Sequence, residues 1–353
     1  MGLKQVKWGT GFDSNPVSLV FLSNGNVEAE ISNCGGLIRS LKVKDCNGAF
    51  CDVILGFDNV EAYKNSQSCM GMIVGRNCNR IMDASFSLDG KEYSLVANDG
   101  NNNLHTGPSA TQYQTFTIDE EQSSEMKLVL HTVNPEAEYG FPGNLSLTYT
   151  YSLTDNGLLI DITGVPDKDT IINMTSHAYF NLNGEDARNL NWHTLELNSE
   201  LYSEIKPRMI PTGRSCTVKG TCFDFTRPKP ILKDIFSDDM QMEIANGYDH
   251  NFIIKKTADK RKDDMFLAAT ASSDSSGITM RIYANTPGFQ FYTANYLEEK
   301  CGKGGIPYGR RSGFCIEPQY MPNAINVEGD KVPKPIVRAG ETYNLKILYE
   351  FNN

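Results

Sequence analysis

The 353-residue sequence predicts an all-β fold, one large antiparallel β-sandwich with few, short helices. Three observations predict it. Short runs that alternate apolar and polar residues dominate the chain. Turns rich in Asn, Asp and Gly join them. No helical period persists beyond about a dozen residues.

The elements follow in chain order. Ser23-Asn24-Gly25-Asn26 reads as the turn of a first hairpin. Phe57 to Asn65 could form two helical turns. Leu88-Asp89-Gly90-Lys91 is a second hairpin turn. The clearest strand is Leu145 to Leu153. There Leu145, Leu147, Tyr149, Tyr151 and Leu153 alternate with Ser146, Thr148, Thr150 and Ser152, the mark of one buried face. Asp155-Asn156-Gly157 then turns the chain into Leu158-Leu159-Ile160-Asp161-Ile162. Region 185–235 is the most irregular. Its Pro207, Pro211, Pro228 and Pro230 suggest long surface excursions, with one helical turn at Ile231 to Ile235. Asp274-Ser275-Ser276-Gly277 turns a further hairpin, and the alternating Thr342 to Phe351 closes a sheet. No repeat, low-complexity tract or linker splits the chain, so 1–353 reads as a single domain.

Composition excludes several classes. The formal net charge of -10 disfavours nucleic acid, which needs clustered Lys and Arg. The mixed-sign run from Lys255 to Asp264 reads as a solvated loop. No segment approaches the roughly 18 apolar residues of a membrane span, and the first residues lack a signal-peptide core. Gly2 is followed by Val6 where myristoylation needs Ser or Thr. The nine cysteines are odd in number and irregular in spacing, with no Cys-x-x-Cys. They predict free thiols in a reducing cytosol, and hence a cytoplasmic protein, rather than a disulfide framework or zinc site. The sequons at Asn144 and Asn173 therefore read as chance. No glycine-rich phosphate loop is present.

Chemistry-bearing residues sit at strand ends. His177 lies in Asn173-Met174-Thr175-Ser176-His177-Ala178-Tyr179-Phe180-Asn181, after the apolar Ile171-Ile172. Histidine can exchange protons near neutral pH, and this placement suits a proton donor facing a pocket. Among the other histidines, His105 sits in a loop crowded with amides, and His250 in Gly247-Tyr248-Asp249-His250-Asn251-Phe252. His131 and His193 receive no role. Glu317, directly after an apolar run and before Pro318, is placed to face a cavity with raised pKa. Arg76 and Arg80 bracket Asn77-Cys78-Asn79, and Gln290 lies in Phe289-Gln290-Phe291-Tyr292-Thr293. Polar groups beside glycines and aromatics suit a polyhydroxyl ligand, whose C–H face packs on rings. A metal site from His105, His177, His250 and Glu317 is possible on residue types, but the long gaps make the spacing uninformative.

Taken together, Gly75-Arg76-Asn77-Cys78-Asn79-Arg80-Ile81, Asn103-Leu104-His105, Ser176-His177-Ala178-Tyr179-Phe180-Asn181-Leu182, Gly247 to Phe252, Phe289 to Thr293 and Gly313-Phe314-Cys315-Ile316-Glu317 carry a resemblance. In this order they make the chain, from near residue 15 to its C-terminus, similar to the aldose 1-epimerase (galactose mutarotase) family. The resemblance implies a supersandwich with an open sugar groove. It implies interconversion of the α and β anomers of free aldoses, with no metal and no organic cofactor. By it, Glu317 takes the proton of the anomeric hydroxyl and His177 protonates the ring oxygen. Arg80 and His105 match residues that hold sugar oxygens near the reacting end. Asp249 matches a carboxylate that accepts from ring hydroxyls, and Gln290 an amide that orients the sugar. Asn79 and Tyr179 are further binding candidates. Arg76 reads as structural, and His250 points away from Asp249's face because neighbours on an extended chain alternate.

The chain departs from the family pattern in places. Thr106 stands where Gly is usual, Ser176 where Asn is usual, and Pro318 where a small polar residue is common. Pro108 to Tyr113 replaces the usual stretch after the histidine. Two other readings stay open: a sugar binder without turnover, and an epimerase of hexose 6-phosphates. The latter needs arginines at the pocket; Arg310 and Arg311 are the only suspicious pair, and read as surface. A monomer or weak homodimer is expected, with Glu317 ionised and His177 protonated in the resting protein.

Overall fold

The computed structural model describes residues 2–329 and 332–352. Three antiparallel sheets carry it. The largest has ten strands. Eight of them run, in spatial order, Thr117–Ile118, Lys127–Asn134, Leu145–Thr154, Gly157–Pro166, Tyr343–Asn352, Thr279–Ala284, Met265–Ser273 and His193–Leu197. Lys229–Pro230 ends that row, and Arg261–Lys262 joins Met265–Ser273. An N-terminal sheet has the five strands Lys4–Thr10, Pro16–Ser23, Val27–Ser32, Ile38–Lys44 and Phe50–Asp52. The third sheet runs Ile210–Thr217, Leu201–Lys206, Asp249–Ile253, Gly288–Tyr292 and Cys315–Gln319.

The alternation read along Leu145 to Leu153 is the pleat itself, with every odd position buried. Those residues share one core with Ile160 and Ile162, with Leu345 and Ile347, with Val20 and Ile31 of the N-terminal sheet, and with Phe252, Phe289 and Phe291 of the third. Each such side chain contributes about 1.5–3 kcal/mol on burial. The large sheet is therefore backed by both smaller ones, a sandwich as expected.

The hairpins at Asn24-Gly25, Asp89-Gly90, Asn156-Gly157 and Ser276-Gly277 all form. The first helix is Val60–Asn65, starting later than the expected Phe57 because Asn59 caps it, accepting from Ala62 N. Two expectations fail. Ile231 to Ile235 forms turns, while an unforeseen helix occupies Met240–Ala245, capped by Asp239. Six residues are too few to show a period. Region 185–235 holds four strands, and its Pro211 and Pro230 lie on sheet-edge strands, where a missing N–H costs no ladder bond.

Arg76 is fully buried and donates to Asn134 Oδ1 and O, Pro142 O and Gly143 O. It is structural, as the sequence suggested. Among the described residues no helix is long and apolar enough to cross a membrane.

Candidate active site

The site begins with register. Asp249 pairs with Tyr292, Asn251 with Gln290, and Gln290 with Glu317. Directly opposed residues of antiparallel strands share a face. Asp249, Gln290, Tyr292 and Glu317 therefore rise on one side of the third sheet, while Phe252, Phe289, Phe291 and Ile316 fill the core on the other. His250 goes with the core. It packs on Phe223 at 4.6 Å between ring centroids, and its Nδ1 accepts from Asp249 N.

His177 follows the short strand Thr175–Ser176, which pairs with Ile73–Val74. Its N–H donates to Met72 O and its carbonyl accepts from Gly71 N, so the backbone is fixed on both sides. Tyr179 stacks on the imidazole at 5.0 Å and 16°, with its hydroxyl donated to Ser68 O. A third strand pair, Arg80–Ile81 with Asn103–Leu104, delivers Arg80 and His105. His105 N donates to Asn79 O, and Asn79 N donates to His105 Nδ1. Nδ1 is thereby an acceptor, and Nε2 carries the proton of the neutral ring. Arg80 Nε meets Asp99 Oδ2 at 2.7 Å.

The departures around His105 have structural replacements. Thr106 takes the left-handed conformation at φ 71. Its hydroxyl accepts from Asn77 N and donates to Asn77 O. In the altered loop, Gln112 donates to His105 O and accepts from Gly75 N. The loop still holds His105.

These elements enclose a cavity of about 360 Å³. Asn79, Arg80, His105, His177, Tyr179, Asp249 and Glu317 all line it. Gln290 stands behind the wall instead, donating Nε2 to Asp249 Oδ1 at 2.6 Å. At the floor, Glu317 Oε2 is buried without a hydrogen-bond partner, 3.7 Å from His177 Nε2. Burial, and after it the nearby Asp249, pushes the Glu317 carboxyl well above the usual range. Burial also raises Asp249, against the pull of Arg80 and Gln290. His177 is lowered to about 4 by burial, and His105 is lowered well below the usual value by burial, His177 and Arg80.

Burial acts on both groups against their charged forms, and so opposes the ion pair expected from sequence. With one proton between them, the two arrangements differ only in which group holds it.

Sequence reasoning passed over Tyr292, which lies two residues from Gln290 and so on its face. It also passed over the rim, where Tyr296, Glu298 and Glu299 line the cavity. That rim loop has no periodic signal. It is tied down by buried Lys303, which donates to Asp52 Oδ2, Ile54 O and Arg39 O. The four-residue metal set does not assemble, because His250 lies on the opposite face.

A model of the aldose 1-epimerase family matches residues 18–350. A galactose mutarotase from Bos taurus is 34% identical over 332 residues, 94% of this chain and 93% of that protein. An aldose 1-epimerase from Escherichia coli (strain K12) is 30% identical over 343 residues, 96% of each. The crystal structure of an aldose epimerase homologue from C. elegans superposes with a TM-score of 0.86 at 26% identity, covering 96% of this chain and 99% of that one.

Proposed function

The chain belongs to the aldose 1-epimerase family, and from that premise we propose that Glu317 and His177 interconvert the α and β anomers of free aldohexoses such as galactose and glucose. The observation that carries the assignment is the unpartnered Glu317 Oε2 beside His177 Nε2 at the floor of a polar cavity. The carboxylate takes the anomeric O–H proton while the imidazolium protonates the ring oxygen. The C1–O5 bond breaks and C1 becomes an aldehyde. Rotation about C1–C2 presents its other face, and closure returns both protons. The proton count of the pair is unchanged over the cycle. Sugar hydroxyls entering the cavity give the carboxylate the hydrogen bonds it lacks, which makes the ion-pair form accessible. Acid–base catalysis of this kind contributes about 10²–10⁴-fold.

Asp249, oriented by Gln290, accepts from ring hydroxyls. Arg80, Asn79 and His105 Nε2 offer groups near the reacting end, and the rings of Tyr179 and Tyr292 offer surfaces for the sugar's C–H face. No step calls for a metal or cofactor, because the substrate supplies the carbonyl. The cavity is complete within one chain, which suits a monomer or weak dimer, and the nine free thiols suit a cytoplasmic setting.

Phosphorylated sugars fit poorly. Arg80 is engaged by Asp99, Arg310 pairs with Glu298, and Arg311 donates to Asn246 O while stacking over Phe236. Glu298 and Glu299 add negative charge to the rim.

Polarimetry of fresh α-D-galactose and α-D-glucose with wild type, Glu317→Gln and His177→Asn tests the reading. Wild type alone should speed the approach to anomeric equilibrium. Acceleration surviving both substitutions would place the chemistry elsewhere. Galactose-dependent thermal stabilisation without acceleration would mark a silent sugar binder.

A further inference from the structure

Beside the acid–base pair lies a group that the reaction does not use. Cys315 precedes Glu317 by two residues on the strand Cys315–Gln319, so the pleat puts both on one face of the sheet; Glu317 lines the cavity, while Cys315 sits just behind its wall, among Leu55, Tyr179 and Tyr308. Its Sγ lies 3.7 Å from His177 Nδ1, while Glu317 meets the ring's other nitrogen. Among the described residues, one donor atom each from Cys315, His177 and Glu317 falls within 4.8 Å of the other two. All three residues are buried, and Glu317 Oε2 has no partner.

We propose that this trio is an inhibitory site for a thiophilic divalent cation of the zinc class, entered through the sugar cavity. A tetrahedral zinc ion holds S, N and O ligands at about 2.0–2.3 Å, which sets ligand–ligand separations of about 3.3–3.6 Å. Because Cys315 and Glu317 face different ring nitrogens, reaching that geometry requires His177 to turn so that a single nitrogen points between the sulfur and the carboxylate. Three protein ligands leave the fourth position facing the cavity, where water completes the shell. Mixed sulfur, imidazole and carboxylate donors select zinc-like ions over magnesium or calcium, which take oxygen shells. As the metal binds, the thiol proton and the proton shared by Glu317 and His177 both leave to solvent. The lone pairs of Glu317 and one imidazole nitrogen are then occupied, and the pair cannot pass protons. Inhibition rests on the roles assigned above to Glu317 and His177; binding does not.

Cobalt(II) is the probe, because a coordinated thiolate gives it a charge-transfer band in the near ultraviolet. The full-length wild type should develop that band with one equivalent of cobalt and lose it when zinc is added. Saturating zinc should slow galactose mutarotation by about 10²-fold or more, the share that acid–base chemistry supplies, and EDTA should restore the rate. In Cys315→Ser the band should vanish, and the zinc needed to halve that variant's own rate should rise at least about tenfold. Cys69 also lines the cavity, and Cys69→Ser should keep the band. A missing band in wild type, a band surviving in Cys315→Ser, or one lost in Cys69→Ser overturns the proposal. If Cys315→Ser does not fold, His177→Asn serves in its place, with the same expected loss of the band. A cobalt band with no mutarotation in any protein leaves the metal site standing and removes the assigned reaction. Turnover abolished in Glu317→Gln and His177→Asn, yet untouched by zinc, removes the metal site alone.

Discussion

Two buried histidines offer a way to separate structural from catalytic roles by titration. Burial lowers His250 to about 3 and His177 to about 4, from an ordinary 6.5. In the unfolded chain both take a proton as pH drops below 6.5, while in the folded protein they resist. Their folded values are depressed, so the stability they contribute is present above pH 6.5 and is lost as pH falls towards the folded pKa. Between pH 7 and pH 5 each costs about 2 kcal/mol, a large share of the roughly 5–15 kcal/mol that holds a domain folded. Replacing His250 by Leu removes one such term. The side chain packs against Phe223 and Tyr202 and its Nε2 has no partner; leucine gives up the bond from Asp249 N to Nδ1, a loss common to both pH values that drops out of the difference. Urea unfolding followed by fluorescence of Trp8 and Trp192 at the two pH values gives the test. His250→Leu should lose about 2 kcal/mol less than wild type on going from pH 7 to pH 5. Glu317 and Asp249, whose folded values are raised, act in the opposite sense, and they cancel in this comparison between proteins. His177→Asn should show the same reduced loss, but it alone should abolish mutarotation. An unchanged loss in His250→Leu would refute the claim that buried neutral imidazole underlies the acid sensitivity.

Three other substitutions probe the wall, the rim and the frame. Asp249→Asn removes the negative charge that helps raise Glu317, so the acid limb of kcat/KM should move to lower pH while KM rises; a pH–rate series reads both. Lys303→Met removes the three contacts of a buried ammonium, to Arg39 O, Ile54 O and the Asp52 carboxylate, and should cost about 3–5 kcal/mol in urea unfolding. Because the freed loop carries Tyr296, Glu298 and Glu299 but not the acid–base pair, KM should suffer more than kcat. Arg76→Met strands the carbonyls of Pro142 and Gly143 and should destabilise by a similar 3–5 kcal/mol, seen as a lowered Tm with sugar affinity retained in the folded fraction.

The frame was legible wherever one face of a strand is wet. Leu145 to Leu153 alternates because its outer positions meet solvent, and the Asn-Gly and Asp-Gly turns dictate their own hairpins. Legibility failed where the signal was short or doubly buried. His193–Leu197 and Leu201–Lys206 are only five and six residues long, and the prolines nearby read as loop although edge strands accept them. In the site, the pocket wall could be read from motifs, and pleat parity from Gln290 and Glu317 would have added Tyr292, with Cys315 just behind the wall. The rim could not, since Glu298 and Glu299 come from an aperiodic loop whose position is set by Lys303 reaching the N-terminal sheet.

Parity also explains how a site drawn from so many segments is held together. Gln290 and Glu317 share the cavity side only in the register that pairs them, and a slip of one residue would turn one of them into the core. The opposite face of the same strands carries Phe252, Phe289, Phe291 and Ile316, all fully buried. A slip would also bring those rings out into the polar cavity, forfeiting about 1.5–3 kcal/mol for each. The hydrophobic core thus fixes the register, and the register places Glu317 beside Gln290 and Asp249. The same burial that stabilises the sheet strips water from Glu317 and His177, so the energy that folds the sandwich also sets the proton affinities of the pair.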